Sequence, residues 1–303
     1  MSLEDFLEVD NIRKPGLMIV DFSQIVISTI TSTFRPTDDL STDLIRHVVL
    51  NTIRSNVLKN KREYPEIVLA TDKGPYWRKL VADYYKGHRK DQREESAFDF
   101  KAIFEAMNII REELIQFFPY KTIQIAGVEA DDIAGVLVHR LGHLYHKILL
   151  ISSDGDWAQL QTSRHITQFS PMQKKWVVPK HGSARLHLLE KVIKGDPKDC
   201  ISNIKSVSDH LLSMKGTRQK SIMQRELDIW MHEPVEDWAP DKFTVDRYNE
   251  NLRLLDMTLI PDEIADKIID AFENQPVASG VGIFNYLVKN KMKELLGKAE
   301  EFI

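Results

Sequence analysis

Residues 148–156 read Ile-Leu-Leu-Ile-Ser-Ser-Asp-Gly-Asp, an apolar run that ends, after two serines, in two acids. Short apolar runs without strict alternation are typical of strands in a parallel sheet that is covered on both faces. Three other runs have the same form and are also followed by acids: 17–20, 67–70 and 123–125. The four runs predict a parallel sheet whose strands end in carboxylates.

Apolar residues recur at helical spacing between these runs, in the ranges 44–57, 100–117 and 133–141. The alternation of strands and helices predicts an α/β fold with a doubly wound, mostly parallel sheet. Two further short runs, 166–169 and 175–178, predict a small hairpin.

The pattern changes after the sequence Pro179-Lys180-His181-Gly182 and becomes helical. We predict helices near 184–194, 221–231, 244–255, 261–274 and 282–297, the first of them ended by Gly195. We therefore expect two domains. An α/β domain over residues 1–182 carries the acids, and a smaller all-helical domain covers residues 183–303.

The composition excludes several classes of protein. The chain has 303 residues, of which 43% are hydrophobic and 28% charged, so it is neither disordered nor fibrous. Its apolar runs are far shorter than the roughly 20 residues of a membrane span, and its acidic N-terminus does not resemble a signal peptide. The single cysteine, Cys200, cannot form an internal disulfide. We expect a protein of a reducing compartment, the cytoplasm.

The acids that follow the strands predict a metal site. The carboxyl ends of parallel strands meet at one edge of a sheet, and the turn 195–199 adds two more acids. Crowded carboxylates resist ionisation unless cations neutralise them, and oxygen ligands suit Mg²⁺. Taken singly, each acid is also explained as a strand-end or helix-capping residue. The predicted metal ligands are Asp21, Asp72, Glu129, Asp131, Asp132, Asp154, Asp156, Asp196 and Asp199.

The distribution of charge permits a polyanionic substrate. The formal net charge is −4, but removing the nine predicted ligands leaves +5 on the rest of the chain. Residues 73–93 carry seven lysines and arginines interleaved with aromatic residues, which is typical of a groove that binds phosphates and stacks bases. The alternative is a solvated helix whose aromatic residues pack inward. A second basic stretch, 205–220, is a weaker candidate for phosphate binding.

Several motifs together resemble the 5′ nuclease (flap endonuclease) family, whose α/β domain is PIN-like. The resemblance covers nearly the whole chain. The motifs, in order, are Asp21, Tyr76-Trp77-Arg78, Tyr84-Tyr85-Lys86 with Arg89, Glu129-Ala130-Asp131-Asp132, Ser153-Asp154-Gly155-Asp156 and Gly195-Asp196-x-x-Asp199. The resemblance implies a metal-dependent 5′→3′ exonuclease and flap endonuclease. It would cleave RNA/DNA and DNA/DNA duplexes, flaps or forks, and would remove RNA primers in phage DNA replication.

The resemblance also implies roles for individual residues. It implies two Mg²⁺ ions, with Mn²⁺ as a substitute. The first cluster is Asp21, Asp72, Asp131 and Asp154 with Glu129 beside it, and the second is Asp156, Asp196 and Asp199. It implies that Arg78 and Lys86 act with Asp131 and Asp154 in catalysis, from an arch over the site. Tyr85, Arg89, Lys215 and Arg218 are the expected substrate-binding residues, the last two near a degenerate helix–hairpin–helix with one glycine, Gly216.

Other functions fit the residues less well. A phosphatase of the haloacid type needs Asp-x-Asp after its strand, where this chain has Asp21-Phe22-Ser23. A non-catalytic Mg²⁺ adhesion site needs a serine where Ile25 stands. A DNA-structure-binding protein without cleavage has no use for carboxylates that repel phosphates. A Mg²⁺-dependent phosphatase and a non-catalytic DNA-structure-binding protein are kept as the alternatives.

The N-terminal tail, residues 2–10, has two interpretations. Leu3, Phe6 and Leu7 either pack as a short helix on the body or dock into a partner's apolar pocket. For the second case the resemblance implies a sliding clamp, with a single-stranded-DNA-binding protein as a further partner through the C-terminal helices. We expect a monomer that does not associate with membranes.

Overall fold

A computed structural model describes residues 13–303 of the chain. Within that range six strands form one sheet in the order β3-β2-β1-β4-β5-β6. Neighbouring strands are parallel except β5 and β6, which are antiparallel. The strands are β1 (Lys14–Asp21), β2 (Glu66–Thr71), β3 (Lys121–Gln124), β4 (Tyr145–Ile151), β5 (Ile166–Ser170) and β6 (Lys175–Val177). The predicted mostly parallel sheet is confirmed. The predicted hairpin is β5–β6, and it belongs to the edge of this sheet because β5 pairs with β4.

Helices cover the sheet and continue beyond it. In the first part of the chain they are α1 (Phe22–Thr33), α2 (Thr42–Val57), α3 (Arg78–Val81), α4 (Arg89–Glu94), α5 (Phe100–Phe117) and α6 (Ala130–Val136). After β6 they are α7 (Ala184–Lys194), α8 (His210–Ser213), α9 (Gln224–Trp230), α10 (Val235–Trp238), α11 (Lys242–Leu255), α12 (Asp262–Asn274), α13 (Ile283–Lys289) and α14 (Lys293–Leu296). α7 ends at Gly195, as predicted, and Gly195 takes a positive φ of 75°.

Helix α1 was not predicted. Its sequence is rich in β-branched residues, which lower helix propensity and favour strands. The structure forms the helix because the Asp21 side chain accepts a hydrogen bond from the Gln24 N–H and caps its first turn. Ile25, Val26 and Ile30 then bury one face against the sheet.

The strands alternate their side chains between two buried layers. Along β1, Met18 and Val20 face one layer, and Leu17 and Ile19 face the other. Helices α1, α2 and α5 cover the first layer, and α6 covers the second. Both faces being covered explains why the strands read as continuous apolar runs.

The C-terminal helices return to the sheet. Helix α12 packs on the layer of α6, and α13 and α14 pack on the layer of α1 and α2. The single helix predicted over 282–297 is wrong, because Lys291 between α13 and α14 takes a positive φ of 58°. The proposed domain boundary at residue 182 falls between β6 and α7 and stays a proposal. Helices α7, α9 and α11 form a third apolar cluster with Tyr84 and Tyr85.

None of the helices described by the structure is long and apolar enough to cross a membrane. The N-terminal tail, residues 2–10, lies outside the described residues.

Candidate metal centre

Four of the predicted ligands line one cleft. Asp21 ends β1, Asp72 follows β2, Asp131 lies in the first turn of α6, and Asp154 follows β4. The chain builds β2 and β3 on one side of β1 and then β4 on the other, so the carboxyl ends of β1 and β4 flank the point where the strand order reverses. Ligand sites of open α/β sheets lie at that point. The cleft has a volume of about 1110 Å³.

Hydrogen bonds from neighbouring elements fix two of the four carboxylates, those of Asp21 and Asp72. Ser152 donates from Oγ to Asp21 Oδ2 at 2.9 Å, which joins the ends of β1 and β4. The Ala130 N–H donates to Asp72 Oδ1 at 2.9 Å, at the start of α6. Ser152 in Ser-Ser-Asp-Gly-Asp therefore positions acids, since its hydroxyl also accepts a hydrogen bond from the Asp154 N–H at 3.0 Å.

Trp157 orients the acid on α6. Its buried indole donates from Nε1 to Asp131 Oδ1 at 2.6 Å. The Trp157 side chain thereby fixes one carboxylate oxygen of Asp131 while Asp131 still lines the cleft. The sequence analysis did not select Trp157, although its place directly after Asp156 is a local signal that could have identified it.

Crowding makes these carboxylates hard to ionise together. Burial, and then the charge of Asp72, raises the pKa of Asp21 to about 8. Burial, and then the charge of Asp154, raises the pKa of Asp131 well above its usual value. A cation among these oxygen ligands removes the mutual repulsion, so the donor set fits a hard divalent metal ion.

The second predicted cluster forms beside the first. Asp156, Asp196 and Asp199 each offer a carboxylate oxygen, and these oxygens lie within 4.8 Å of one another. Burial raises the pKa of Asp156 to about 6, although the ammonium of Lys191 opposes the shift. Burial alone would raise the pKa of Asp199, but the charges of Lys86 and Arg89 outweigh burial, so the pKa is lowered below its usual value. Three oxygen donors at this spacing also fit a divalent ion.

Asp132 and Glu129 do not line the cleft. Asp132 Oδ2 accepts hydrogen bonds from the Glu129 N–H at 2.9 Å and from Trp77 Nε1 at 3.1 Å, which caps α6. Glu129 accepts hydrogen bonds from Arg78 Nη1 at 2.8 Å and the Tyr85 hydroxyl at 3.0 Å, and pairs with Lys86. Both acids are buried and hold neighbouring groups in place. We therefore leave Asp132 out of the proposed ligands and assign Glu129 to positioning.

The prediction that Arg78 faces a phosphate does not fit the structure. Arg78 is 3% exposed and its guanidinium contacts Glu129, Asp132 and the Leu254 carbonyl. Tyr85, expected to bind substrate, is 2% exposed and donates from its hydroxyl to Glu129 and Asp199. Trp77, Tyr84 and Tyr85 pack inward because two apolar clusters of the body accept them, whereas Tyr76 is half-buried and lines the cleft. The inward packing considered as the alternative for 73–93 holds for those three aromatic side chains and not for Tyr76.

Other basic residues of the segment do face the cleft. Lys86 lines it, with Nζ paired to Glu129 and 3.5 Å from Asp199 Oδ2, and Arg89 lines it 3.2 Å from Asp199 Oδ1. Further cations that line the cleft are Lys79, Lys90, Arg93, Lys101 and Arg111. The lining of the cleft thus combines the carboxylates of the first cluster with these cations.

The residues of the second basic stretch lie elsewhere. Lys215 and Arg218 are exposed, in the loop between α8 and α9, and neither lines the cleft. Lys215 Nζ lies 3.7 Å from Asp91 Oδ2, near the end of the basic segment 73–93. At the place of the expected helix–hairpin–helix, the structure therefore has a loop that joins the short helix α8 to α9.

Comparison with known proteins identifies the family. Residues 17–186 match the family model described as the 5′-3′ exonuclease N-terminal resolvase-like domain. Residues 182–302 match the model described as the C-terminal part of T4 RNase H. The chain is 37% identical to a ribonuclease H of Enterobacteria phage T4, and the match covers the full length of both proteins. The chain belongs to the 5′ nuclease family of 5′-3′ exonucleases.

Further relatives of this 5′ nuclease are more distant. It is 42% identical over 91 residues to a flap endonuclease of Escherichia phage T5, which covers 28% of this chain and 30% of the relative. It is 25% identical to a 5′-3′ exonuclease of Buchnera aphidicola over 52% of this chain and 54% of the relative.

Solved structures share the fold of this 5′ nuclease. A bacteriophage T5 flap endonuclease, solved as a pseudo-enzyme–product complex with DNA and metal ions, superposes with a TM-score of 0.61 at 22% identity, over 94% of this chain and 99% of that chain. The T5 protein co-crystallised with metal ions gives a TM-score of 0.60 at 20% identity, over 85% of this chain and 98% of that chain.

Proposed function

We propose that this 5′ nuclease is a divalent-metal-dependent 5′→3′ exonuclease and flap endonuclease. Its substrates are RNA/DNA hybrids and DNA duplexes, including flapped and forked ends, and its biological task is the removal of RNA primers during phage DNA replication. The ions are two Mg²⁺, for which Mn²⁺ substitutes. The protein acts as a monomer in the cytoplasm of the host cell.

One observation carries this proposal. Asp21, Asp72, Asp131 and Asp154 come from separate elements and line a single cleft that Lys86 and other cations also line. A phosphodiester bound in this cleft would have its charge neutralised by the cations while it faces the carboxylates. Carboxylates repel a phosphate unless metal ions intervene, so the arrangement favours metal-assisted cleavage over simple binding.

Each cluster has a distinct place in the proposed mechanism. Asp21, Asp72, Asp131 and Asp154 would hold the first ion, and Asp156, Asp196 and Asp199 would hold the second. When bound, the two ions would supply Lewis acidity and activation of water for phosphodiester hydrolysis. Trp157 fixes the carboxylate of Asp131, and Ser152 fixes that of Asp21. Lys86, at the wall of the cleft, stabilises negative charge that develops on the phosphate.

The other cations of the cleft bind and orient the nucleic acid. Arg89, Lys90 and Arg93 line the cleft together with Lys86 and would contact phosphates of a strand that enters it. Lys215 and Arg218, outside the cleft, contact phosphates of the duplex. These contacts read no bases, in keeping with a substrate defined by its 5′ end and its shape.

Carboxylate variants test this function. Wild-type protein and the variants Asp154→Asn and Asp131→Asn are incubated with a 5′-flap DNA and an RNA/DNA hybrid in Mg²⁺. We expect both variants to lose cleavage while retaining their melting temperature. The control is Asp246→Asn, because Asp246 is an exposed acid on α11 paired only with Lys242 within the described residues. Wild-type rates in Asp154→Asn would exclude the proposed centre. Substrate binding without cleavage by the wild type would favour a DNA-structure-binding protein, and release of phosphate from small esters a phosphatase.

Partner binding is a separate part of the proposal. The N-terminal tail docks on a sliding clamp, which raises the local concentration of the nuclease at primer junctions, and the C-terminal helices contact a single-stranded-DNA-binding protein. Deletion of residues 2–10 tests the first contact. We expect unchanged cleavage of short substrates and loss of stimulation by the clamp on long primed templates. A destabilised truncation that is stimulated normally would contradict it.

A further inference from the structure

Lys191 lies within the second carboxylate cluster. It belongs to the last turn of α7, and its ammonium is 2.6 Å from Asp196 Oδ2 and paired with Asp156 Oδ1. Across residues 13–303, it is the one cation within 4.0 Å of either acid. Asp199 has its own partners in Lys86 and Arg89.

The fold forces this contact. Asp156 follows β4, and Asp196 follows the turn at Gly195 that ends α7. α7 packs against the segment after Asp154, which brings the helix lysine between the two acids. Without a cation, the oxygens of the cluster would repel one another at their spacing of no more than 4.8 Å.

We propose that Lys191 is an internal counter-ion that competes with the metal ion of the second cluster. Its ammonium holds Asp156 and Asp196 together before metal binds, and it leaves them when a divalent ion binds. This inference rests on the proposed function, which assigns a metal ion to that cluster.

The charge and the length of the Lys191 side chain support the replacement of its ammonium by a divalent ion. An ammonium and a divalent cation cannot share the same carboxylate oxygens, because their charges repel across a few ångströms. The Lys191 side chain is 21% exposed and has a flexible stem of four carbons, so its charged end can move into solvent. A cation therefore neutralises the cluster both with and without bound metal. Displacement of the lysine ammonium costs free energy and weakens the affinity for the metal ion.

The Lys191 counter-ion would control the affinity of the second carboxylate cluster for a divalent ion. Replacing Lys191 by methionine keeps most of the stem and removes the competing charge, so a divalent ion should bind the second cluster about tenfold more tightly or better. Replacing it by arginine keeps the charge and should leave this affinity weak. Lys194 provides a matched control, since it lies on the same helix and pairs with Glu190 at 2.8 Å, outside the cluster.

The experiment is a calorimetric titration of the full-length protein with Mn²⁺. We expect two sites in the wild type, and in Lys191→Met a second-site dissociation constant lowered by about tenfold, whereas Lys191→Arg and Lys194→Met resemble the wild type. An unchanged or weaker second site in Lys191→Met would overturn the proposal. Should that variant be unfolded without metal, its melting temperature with Mn²⁺ decides. A larger metal-induced rise than in the wild type supports the proposal, and no rise overturns it.

Cleavage by the wild type separates this inference from the function on which it rests. If the wild type cleaves a 5′-labelled duplex in Mg²⁺ and Lys191→Met shows no tighter second site, the counter-ion proposal alone fails. If the wild type binds no divalent ion and cleaves no nucleic acid, the proposed function fails and the counter-ion proposal fails with it.

Discussion

The indole of Trp157 donates its hydrogen bond to the Asp131 carboxylate at 2.6 Å, so a fully buried side chain fixes an acid of the cleft. Groups that orient metal ligands in this way commonly contribute 10- to 100-fold to metal affinity or activity. The relationship links the core of the α/β layer directly to the chemistry of the site.

Loss of this hydrogen bond should weaken metal binding. We expect Trp157→Phe to raise the Mg²⁺ concentration for half-maximal cleavage by about tenfold or more, since Asp131 loses the donor that orients it. The measurement is the cleavage rate as a function of Mg²⁺ concentration, with the melting temperature recorded in parallel. Trp176→Phe is the control, because Trp176 is exposed on the edge strand β6. An unchanged Mg²⁺ dependence in Trp157→Phe would show that the bond does not position Asp131.

Removal of Arg78 should act mainly on stability. Arg78→Ala leaves Glu129 and Asp132 buried without their guanidinium partner, which costs about 3–5 kcal/mol of unfolding free energy. Urea unfolding measures this loss, and Lys79→Ala, at the exposed neighbouring position, should unfold like the wild type. A fully stable Arg78→Ala that has lost only catalysis would restore the catalytic role first expected of Arg78.

Removal of Lys86 should act on catalysis. Lys86→Ala should lower kcat more than substrate affinity, because Lys86 lines the cleft and is proposed to stabilise charge on the phosphate.

The second cluster should be needed for turnover and not for binding. Asp199→Asn removes one carboxylate charge that repels phosphate, so substrate affinity should stay equal or increase while cleavage falls by at least about 100-fold. Binding of a 5′-flap DNA in Ca²⁺ and single-turnover cleavage in Mg²⁺ measure the two effects separately. Cleavage at the wild-type rate would mean that Asp199 holds no catalytic ion.

Without metal, stability should fall as the pH rises. The pKa of Asp21 is raised to about 8, mainly by burial, so the folded state favours its protonated form. That stabilisation is complete below the unfolded pKa near 4 and is lost as the pH rises through about 8. In EDTA we expect the melting temperature to drop between about pH 4 and pH 8, and to drop less in Asp21→Asn. Parallel curves for the wild type and Asp21→Asn would contradict the assigned crowding, and Asp246→Asn should follow the wild type.

Lys215 and Arg218 should contribute to binding alone. Lys215→Ala and Arg218→Ala should weaken duplex binding at moderate salt, and each should reduce the slope of log affinity against log salt by about one. The measurement is fluorescence anisotropy over a salt series. Lys242→Ala is the control, since Lys242 is exposed and pairs with Asp246 on the same helix. An unchanged slope in both variants would place the duplex elsewhere.

The sequence contains enough to predict the sheet and the acids of the first cluster. Continuous apolar runs report strands buried on both faces, and an acid after such a run lies at the carboxyl edge wherever the helices pack. This is why Asp21, Asp72, Asp131 and Asp154 could be selected from the sequence among nine acids, whereas their grouping as a first cluster was implied by the resemblance to 5′ nucleases.

The orientation of side chains in the basic segment 73–93 could not be predicted in the same way. Whether Arg78 and Tyr85 face the cleft or the interior depends on the third apolar cluster, which α7, α9 and α11 complete from distant parts of the chain. Lys191 is a similar case, because its contact with Asp156 depends on how α7 packs and not on spacing along the chain. Helix α1 was missed because β-branched residues hide its periodicity.

The central claim is that divalent ions held by this carboxylate cleft hydrolyse nucleic acid from a 5′ end. The direct test incubates the protein with a 5′-labelled RNA/DNA hybrid in Mg²⁺, in EDTA, and in EDTA followed by excess Mg²⁺. We predict release of short labelled products in Mg²⁺, none in EDTA, and recovery when Mg²⁺ is restored. Full cleavage in EDTA, or no cleavage under any of the three conditions, would contradict the account.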